Sequence, residues 1–281
     1  DFSYLCDKRG VVGESWIVDV LLSGDLNAES MVLDFGIVKK QIKAIIDESV
    51  DHKLVLPAKN KALKVTDSAR TDHVFVDFEI SEKAIYLQSP KQAFALIETA
   101  VIDEESVTRY LETVIKQQLP ENVQGIELKL RAENISGPYY HYTHGLKKHD
   151  GNCQRIAHGH RSTIQIFENN KLSQELNEMW CQRWQDIYLA SESDSPNINE
   201  VEVSDNAKNK GTPDHQYFSY YAPQGRFDIA VHSSILEVVD CDSTVELLAD
   251  YIARQLKGAN PSGEFKVVAY EGVGKGAIAN V

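Results

Sequence analysis

The run C-Q-R-I-A-H-G-H-R-S-T-I-Q-I-F, residues 153–167, sets two histidines one residue apart at the head of an alternating, β-patterned tail. Side chains alternate with period two along a strand, so His158 and His160 project from the same side. Just upstream, Y-Y-H-Y-T-H-G-L (139–146) offers further histidines. A third imidazole from a neighbouring strand would complete a three-nitrogen face. Three protein ligands with one open position is the arrangement of catalytic zinc, whereas structural zinc is closed by four. Cys153, close to such an ion, is a candidate base or nucleophile, because nearby positive charge favours its thiolate. An H-x-H pair is weak by itself, since surface histidines without a metal are common.

Composition bounds the alternatives. A 281-residue chain accommodates one large domain or two modest ones. A net charge of -13 argues against a nucleic-acid partner, whose phosphates need a basic surface. It leaves room for a small anionic substrate in a local basic pocket. No apolar run is long enough to cross a bilayer. The four cysteines, Cys6, Cys153, Cys181 and Cys241, are widely spaced. With no export signal visible, reduced thiols in the cytoplasm are the simpler expectation.

The order of elements repeats. The first half opens on S-W-I-V-D-V-L-L-S-G (15–24) and passes to the helical G-I-V-K-K-Q-I-K-A-I-I-D-E (36–48). The second opens on R-S-T-I-Q-I-F and passes to N-K-L-S-Q-E-L-N-E-M-W-C-Q-R-W (170–184). Each half then carries an Asp-His pair before another strand, Asp72-His73 and Asp214-His215. Each adds a second helix with acidic or hydroxyl residues at its start. Each closes on a strand ending in glutamate, Glu133 and Glu271. This is an α+β layout, antiparallel sheet with helices on one face, in two repeats: 1–135 and 136–281. The short linker predicts repeats whose sheets continue into each other.

These residues resemble the 6-pyruvoyltetrahydropterin synthase / 6-carboxytetrahydropterin synthase family. The resemblance rests on Y-H-Y-T-H-G-L, C-Q-R-I-A-H-G-H, D-S-T-V-E (242–246) and V-V-A-Y-E (267–271) in the second half. In the first it rests on S-M-V-L-D-F (30–35), V-D-H-K-L-V-L (50–56) and L-R-A-E (130–133). Departures are informative. Val12 and Glu14 flank Gly13 where H-G-H belongs, and Leu5 stands where a strand histidine is expected. In W-Q-D-I-Y-L (184–189), Asp186 or Ile187 falls where the turn's histidine belongs. The first half is thus a degenerate repeat without zinc ligands.

The resemblance implies a tandem T-fold, a zinc cofactor and a pterin substrate, 7,8-dihydroneopterin triphosphate. It implies zinc on His144, His158 and His160, with His141 as the alternative third ligand on the wrong face of a regular strand. It gives Cys153 the role of proton-abstracting base, Asp51 that of orienting His52, and His52 that of relaying a proton. Glu271, with Thr244 and Glu246, would hold the pterin. Glu271 has the blander reading of a surface strand end, and Asp51-His52 that of a helix C-terminal pair. Because each half lacks a different part, one composite site per chain is expected, joined within the chain or across an interface. Lys147, Lys148, Arg155 and Arg161 form a basic patch suited to a triphosphate, or simply a solvated face. Trp180, Trp184 and Tyr188 are expected in the core. A homo-oligomer, dimer or trimer, is expected. The rival function is a pterin-binding protein that keeps zinc without turnover. Insertions at about residues 58–98 and 191–236 would cover a sheet edge, line the pocket or mediate assembly.

Overall fold

The computed structural model describes residues 1–196, 200–210 and 214–281. The first half runs β1 (Phe2–Cys6), β2 (Gly10–Glu14), β3 (Trp16–Gly24), α1 (Phe35–Ser49) and β4 (Leu54–Pro57). It continues through β5 (Leu63–Asp67), β6 (His73–Phe78), β7 (Ile85–Pro90), β8 (Phe94–Ile97), α2 (Glu104–Lys116) and β9 (Val123–Ala132). The second half runs β10 (Tyr139–His144), β11 (His158–Glu168), β12 (Lys171–Leu172), α3 (Gln174–Arg183), β13 (Ile187–Ser191) and α4 (Asp205–Lys210). Next come β14 (His215–Ala222), β15 (Gly225–His232), β16 (Leu236–Val239), α5 (Val245–Ala259), β17 (Phe265–Tyr270) and β18 (Gly276–Asn280). Among the described residues, no helix is long and apolar enough to cross a membrane.

Pairing repeats between the halves. β1 lies antiparallel to β2 and parallel to β4, with β8 parallel beyond. β10 lies antiparallel to β11 and parallel to β13, with β16 parallel beyond. β9 closes on β3 as β17 closes on β11. The fold is therefore α+β, a tandem T-fold, in which β2 and β3 do together what β11 does alone. The proposed division at residues 135 and 136 falls between β9 and β10.

The helices α1, α2, α3 and α5 each lay an apolar stripe on their own half. Val38, Ile42 and Ile45 of α1 pack with Val107, Leu111 and Ile115 of α2 on Leu128 and Leu130. Leu248, Ile252 and Leu256 of α5 pack with Tyr140, Tyr142, Trp180 and Trp184. Trp180 and Trp184 are core, as expected. Tyr188 is buried in a different cluster, and its hydroxyl donates to Ile156 O at 2.7 Å.

The expectation that the core sheets run into each other is not met. Instead, the insertions do so: β14-β15-β7-β6-β5 forms one sheet, joined where β15 pairs antiparallel with β7. The cores meet by crossing, because glycine lets two backbones touch. A Cβ on Gly13 would lie 1.9 Å from Tyr142 O and 2.6 Å from His160 N. One on Gly159 would lie 2.7 Å from Gly13 Cα. Beside this crossing, the buried hydroxyls of Ser3 and Thr143 hydrogen-bond at 2.7 Å.

Because backbone cannot yield as a side-chain tip does, Gly13→Ala is expected to cost about 3 kcal/mol or more. Denaturant unfolding checks this; a loss below about 0.5 kcal/mol would remove the crossing from the account.

Candidate active site

The register of β10 on β11 sets His144 opposite His158, and His160 follows two residues on. Each of the three offers a nitrogen within 4.8 Å of the other two, and each ring is at most 1% exposed. Nδ1 of His144 donates to Ser243 O at 3.1 Å, and Nδ1 of His158 to Arg155 O at 2.9 Å. Carbonyls only accept, so these contacts fix the tautomer and leave both Nε2 lone pairs free. Those two nitrogens are buried without a hydrogen-bond partner, while His160 faces carboxylates, Nε2 at 3.2 Å from Glu271 Oε1 and Nδ1 at 3.4 Å from Asp1 Oδ1. Burial pushes all three rings towards the neutral form. Buried orphan acceptors are costly, and convergent neutral imidazoles suit a divalent cation. The residues present therefore fit zinc. His141 is not among them: its Nδ1 donates to Gly13 O at 2.6 Å, on the opposite face of β10.

The other half supplies the dyad. α1 ends at Ser49, and the turn that follows holds His52 at φ 53°, its N–H donating to Asp1 O at 2.8 Å. Its Nδ1 lies 2.7 Å from Asp51 Oδ2. The ring stands 5.2 Å from that of His158 and 6.4 Å from that of His160, centre to centre. His52, Cys153 and His158 also offer ligand atoms within 4.8 Å of one another. Asp51 and His52 thus meet Cys153 inside one chain. Burial alone would raise Asp51, but the hydrogen bonds and charges of His52 and the Asp1 amino group together outweigh it and hold the carboxyl below the usual range. Burial, aided by the charges of Glu271 and Asp51, pushes the Cys153 thiol up to about 11.

Glu271, just past β17, is no mere strand end. Its Oε1 lies 3.2 Å from His160 Nε2 and 3.9 Å from His144 Nε2. Burial would raise this carboxyl, yet the adjoining imidazoles hold it low. Thr244 is spent as the N-cap of α5, accepting from Leu247 N, and Glu246 is exposed on the first turn. Neither joins the cluster. His73 Nδ1 donates to Thr71 O and His215 Nε2 to Ala84 O, both in the insertion sheet, away from the site.

The basic patch is not open. Lys147 pairs with Asp194 and Lys148 with Asp242; Arg155 donates to Asp51 O at 3.2 Å and Arg161 to Glu133 O at 2.9 Å. Two contributors had no sequence signal: Ser243, which fixes His144, and the backbone carbonyl of Arg155, which fixes His158. Carbonyl acceptors carry no residue identity.

Residues 7–133 match the family model for 6-pyruvoyl tetrahydropterin synthase. A Methanocaldococcus jannaschii protein provisionally named a 6-carboxy-5,6,7,8-tetrahydropterin synthase is 34% identical over 89 residues. That alignment spans 31% of this chain and 46% of the relative, so the chain covers under half of the relative's length. A catalytic-residue mutant of Plasmodium vivax 6-pyruvoyltetrahydropterin synthase is 17% identical, with a TM-score of 0.37, covering 46% of this chain and 83% of its own. The Plasmodium falciparum 6-pyruvoyl tetrahydropterin synthase structure is 16% identical, with a TM-score of 0.34, covering 43% and 74%.

The family match lies in the half without the three-histidine cluster, and the structure shows what fills that place. Ser3 faces Gly13 in β1–β2 as Thr143 faces Gly159 in β10–β11. By that register Tyr4, not Leu5, holds the place of His144, while Val12 and Glu14 hold those of His158 and His160. A one-residue slip swaps strand faces, which is why the motif alone misassigned it. Asp186, at φ 57° and with its N–H on His141 O, holds the place of His52. Arg9 grips it with two hydrogen bonds, 2.9 and 2.6 Å, and reaches Tyr4 Oη at 3.3 Å. A guanidinium thus stands among the lost ligand positions.

Burial pushes Glu14 up to about 7, against donation from Ser15 N and the charge of Arg161. Between its ordinary 4.5 and about 7, the folded protein keeps a proton that the unfolded chain has released. This residue's contribution therefore falls as pH rises through that window. His141, pushed down to about 4 by burial, works in the opposite sense: its contribution falls as pH drops below 6.5. Glu14→Gln should therefore gain stability relative to the parent at pH 8 over pH 5 by about 1–3 kcal/mol. Urea unfolding at both pH values reads it; an equal difference at the two contradicts the assignment.

Proposed function

We propose, for a chain that belongs through residues 7–133 to the 6-pyruvoyl tetrahydropterin synthase family, that it is a zinc-dependent pterin lyase. The reading is 6-carboxytetrahydropterin synthase-like, with 7,8-dihydroneopterin triphosphate as substrate and one composite site per chain. The observation that carries it is the set of buried, convergent imidazole nitrogens beside Cys153 and the Asp51–His52 pair.

In this reading zinc, when held by His144, His158 and His160, supplies a Lewis acid that polarises the substrate's side-chain oxygens. Cys153, as thiolate, takes a proton from a side-chain carbon. His52 exchanges a proton with a side-chain hydroxyl through Nε2, because its Nδ1 is held by Asp51 Oδ2. Asp51 keeps that tautomer and stabilises the imidazolium when it forms. Glu271 accepts hydrogen bonds from the pterin's amino and ring N–H groups. Thr244 and Glu246 border the ring at the start of α5, Thr244 through the backbone it caps. The assembly is a homo-oligomer, dimer or trimer. A cytoplasmic setting suits the free thiols of Cys6, Cys153, Cys181 and Cys241.

Purified protein incubated with dihydroneopterin triphosphate, with product followed by chromatography and zinc by elemental analysis, tests the reading. Turnover and one zinc per chain are expected. Cys153→Ala should keep zinc and lose about 10²- to 10⁴-fold in kcat, and His160→Ala should lose zinc as well. Two zincs per chain, or none, sink the composite site. Zinc and pterin bound without turnover would instead make the chain a catalytically decayed pterin-binding protein.

A further inference from the structure

We infer that the β14–β15 hairpin is a clamp that positions the Cys153 loop, with Gln224 as its positioning residue. The loop is fastened on both sides of the cysteine. Gln224 N–H donates to Gln154 Oε1 at 2.7 Å, and Gln224 Nε2 donates to Asn152 Oδ1 at 2.8 Å. Gln224 Oε1 accepts from Arg155 Nε at 3.3 Å. From the same hairpin the buried Tyr220 hydroxyl donates to Gln154 O at 2.9 Å. One residue and one tyrosine of the insertion thereby hold residues 152, 154 and 155, which bracket Cys153.

The clamp is itself anchored in the other half. β14 ends at Ala222 opposite Gly225, leaving a two-residue turn. Gly225 sits at φ +137°, and a Cβ there would lie 2.8 Å from Pro90 of β7. The turn therefore rests against the first half, and β15–β7 pairing fixes its reach. Arg155 completes the path: the guanidinium that bonds Gln224 also donates to Asp51 O, at the head of the dyad's turn. One side chain registers the cysteine loop against the Asp51–His52 turn. Interlocked polar groups of this kind hold a geometry more sharply than their individual strengths suggest.

The inference rests on the reading of Cys153 as base, but its test does not need turnover. Gln224 is half-buried at a turn tip, so Gln224→Ala should melt within about 2 °C of the parent and keep its zinc. In that variant, alkylation of Cys153 by iodoacetamide, followed by peptide mass mapping to separate it from the other cysteines, should quicken at least fivefold. With turnover present, kcat should fall about tenfold while KM stays within twofold, as expected when a reacting group is misplaced and not lost. Tyr220→Phe removes only the hydroxyl bond to Gln154 O and should shift alkylation in the same direction. Alkylation within twofold of the parent in both variants overturns the clamp. Absence of turnover in the parent protein counts against the proposed function alone, and the alkylation arm still decides the clamp.

Discussion

The site depends on two backbones touching. Gly13 and Gly159 meet with no side chain between them, and the Ser3–Thr143 hydroxyl pair seals the crossing. Protein interiors hold side-chain-sized gaps poorly, so a crossing this close has one geometry. It sets β1 and β2 against the Thr143–Gly159 face of β10 and β11, opposite the three histidines. The turn after α1, tied to the start of β1 through Asp1 O, arrives with Asp51 and His52 beside His158. Move the crossing by one side-chain layer and the dyad no longer reaches the cysteine.

The same crossing, viewed from the other half, produces the opposite outcome. Arg9 and Arg155 occupy matching places before β2 and β11, each reaching the turn lent by the other half. Where that turn presents His52, Arg155 finds only carbonyls and leaves the imidazole free. Where it presents Asp186, Arg9 finds a carboxylate and closes on it with two hydrogen bonds. A charge-assisted bidentate pair is hard to open. Restoring histidines at Val12 and Glu14 would therefore not restore a metal site, because a cation already stands there. The asymmetry between live and filled centres comes down to which residue caps each turn.

Much of this was legible in the sequence. H-G-H with an upstream histidine gave the three imidazoles, because strand alternation is rigid enough to assign faces; it also excluded His141. The Asp51–His52 pair was legible as a turn, and its placement beside the other half's histidines was expected from complementary losses. What failed did so for identifiable reasons. Leu5 was read in the place of the strand histidine, which Tyr4 holds, because a motif with one gap cannot fix register. The basic residues looked like a patch because ion-pair partners such as Asp194 and Asp242 lie far along the chain. Sheet continuation was expected from the short linker, yet it is the insertions that pair, through β7 and β15. Ser243 and the Arg155 carbonyl, which set the histidine tautomers, leave no mark in sequence at all.

The match to residues 7–133 and the histidine chemistry lie in different halves, and physics explains how both belong to one molecule. A half that has filled its own centre with Arg9 and Asp186 still supplies Asp51 and His52. Covalent fusion removes the translational and rotational cost that two separate chains bear on bringing such groups together. Two attachments then hold the halves: the glycine crossing on the inner side and the insertion sheet on the outer. The catalytic groups sit between them, with Arg155 spanning from one to the other. A centre pinned on both sides has little freedom to drift. That constraint holds residues from two repeats in one cluster in a chain where neither repeat has all of them.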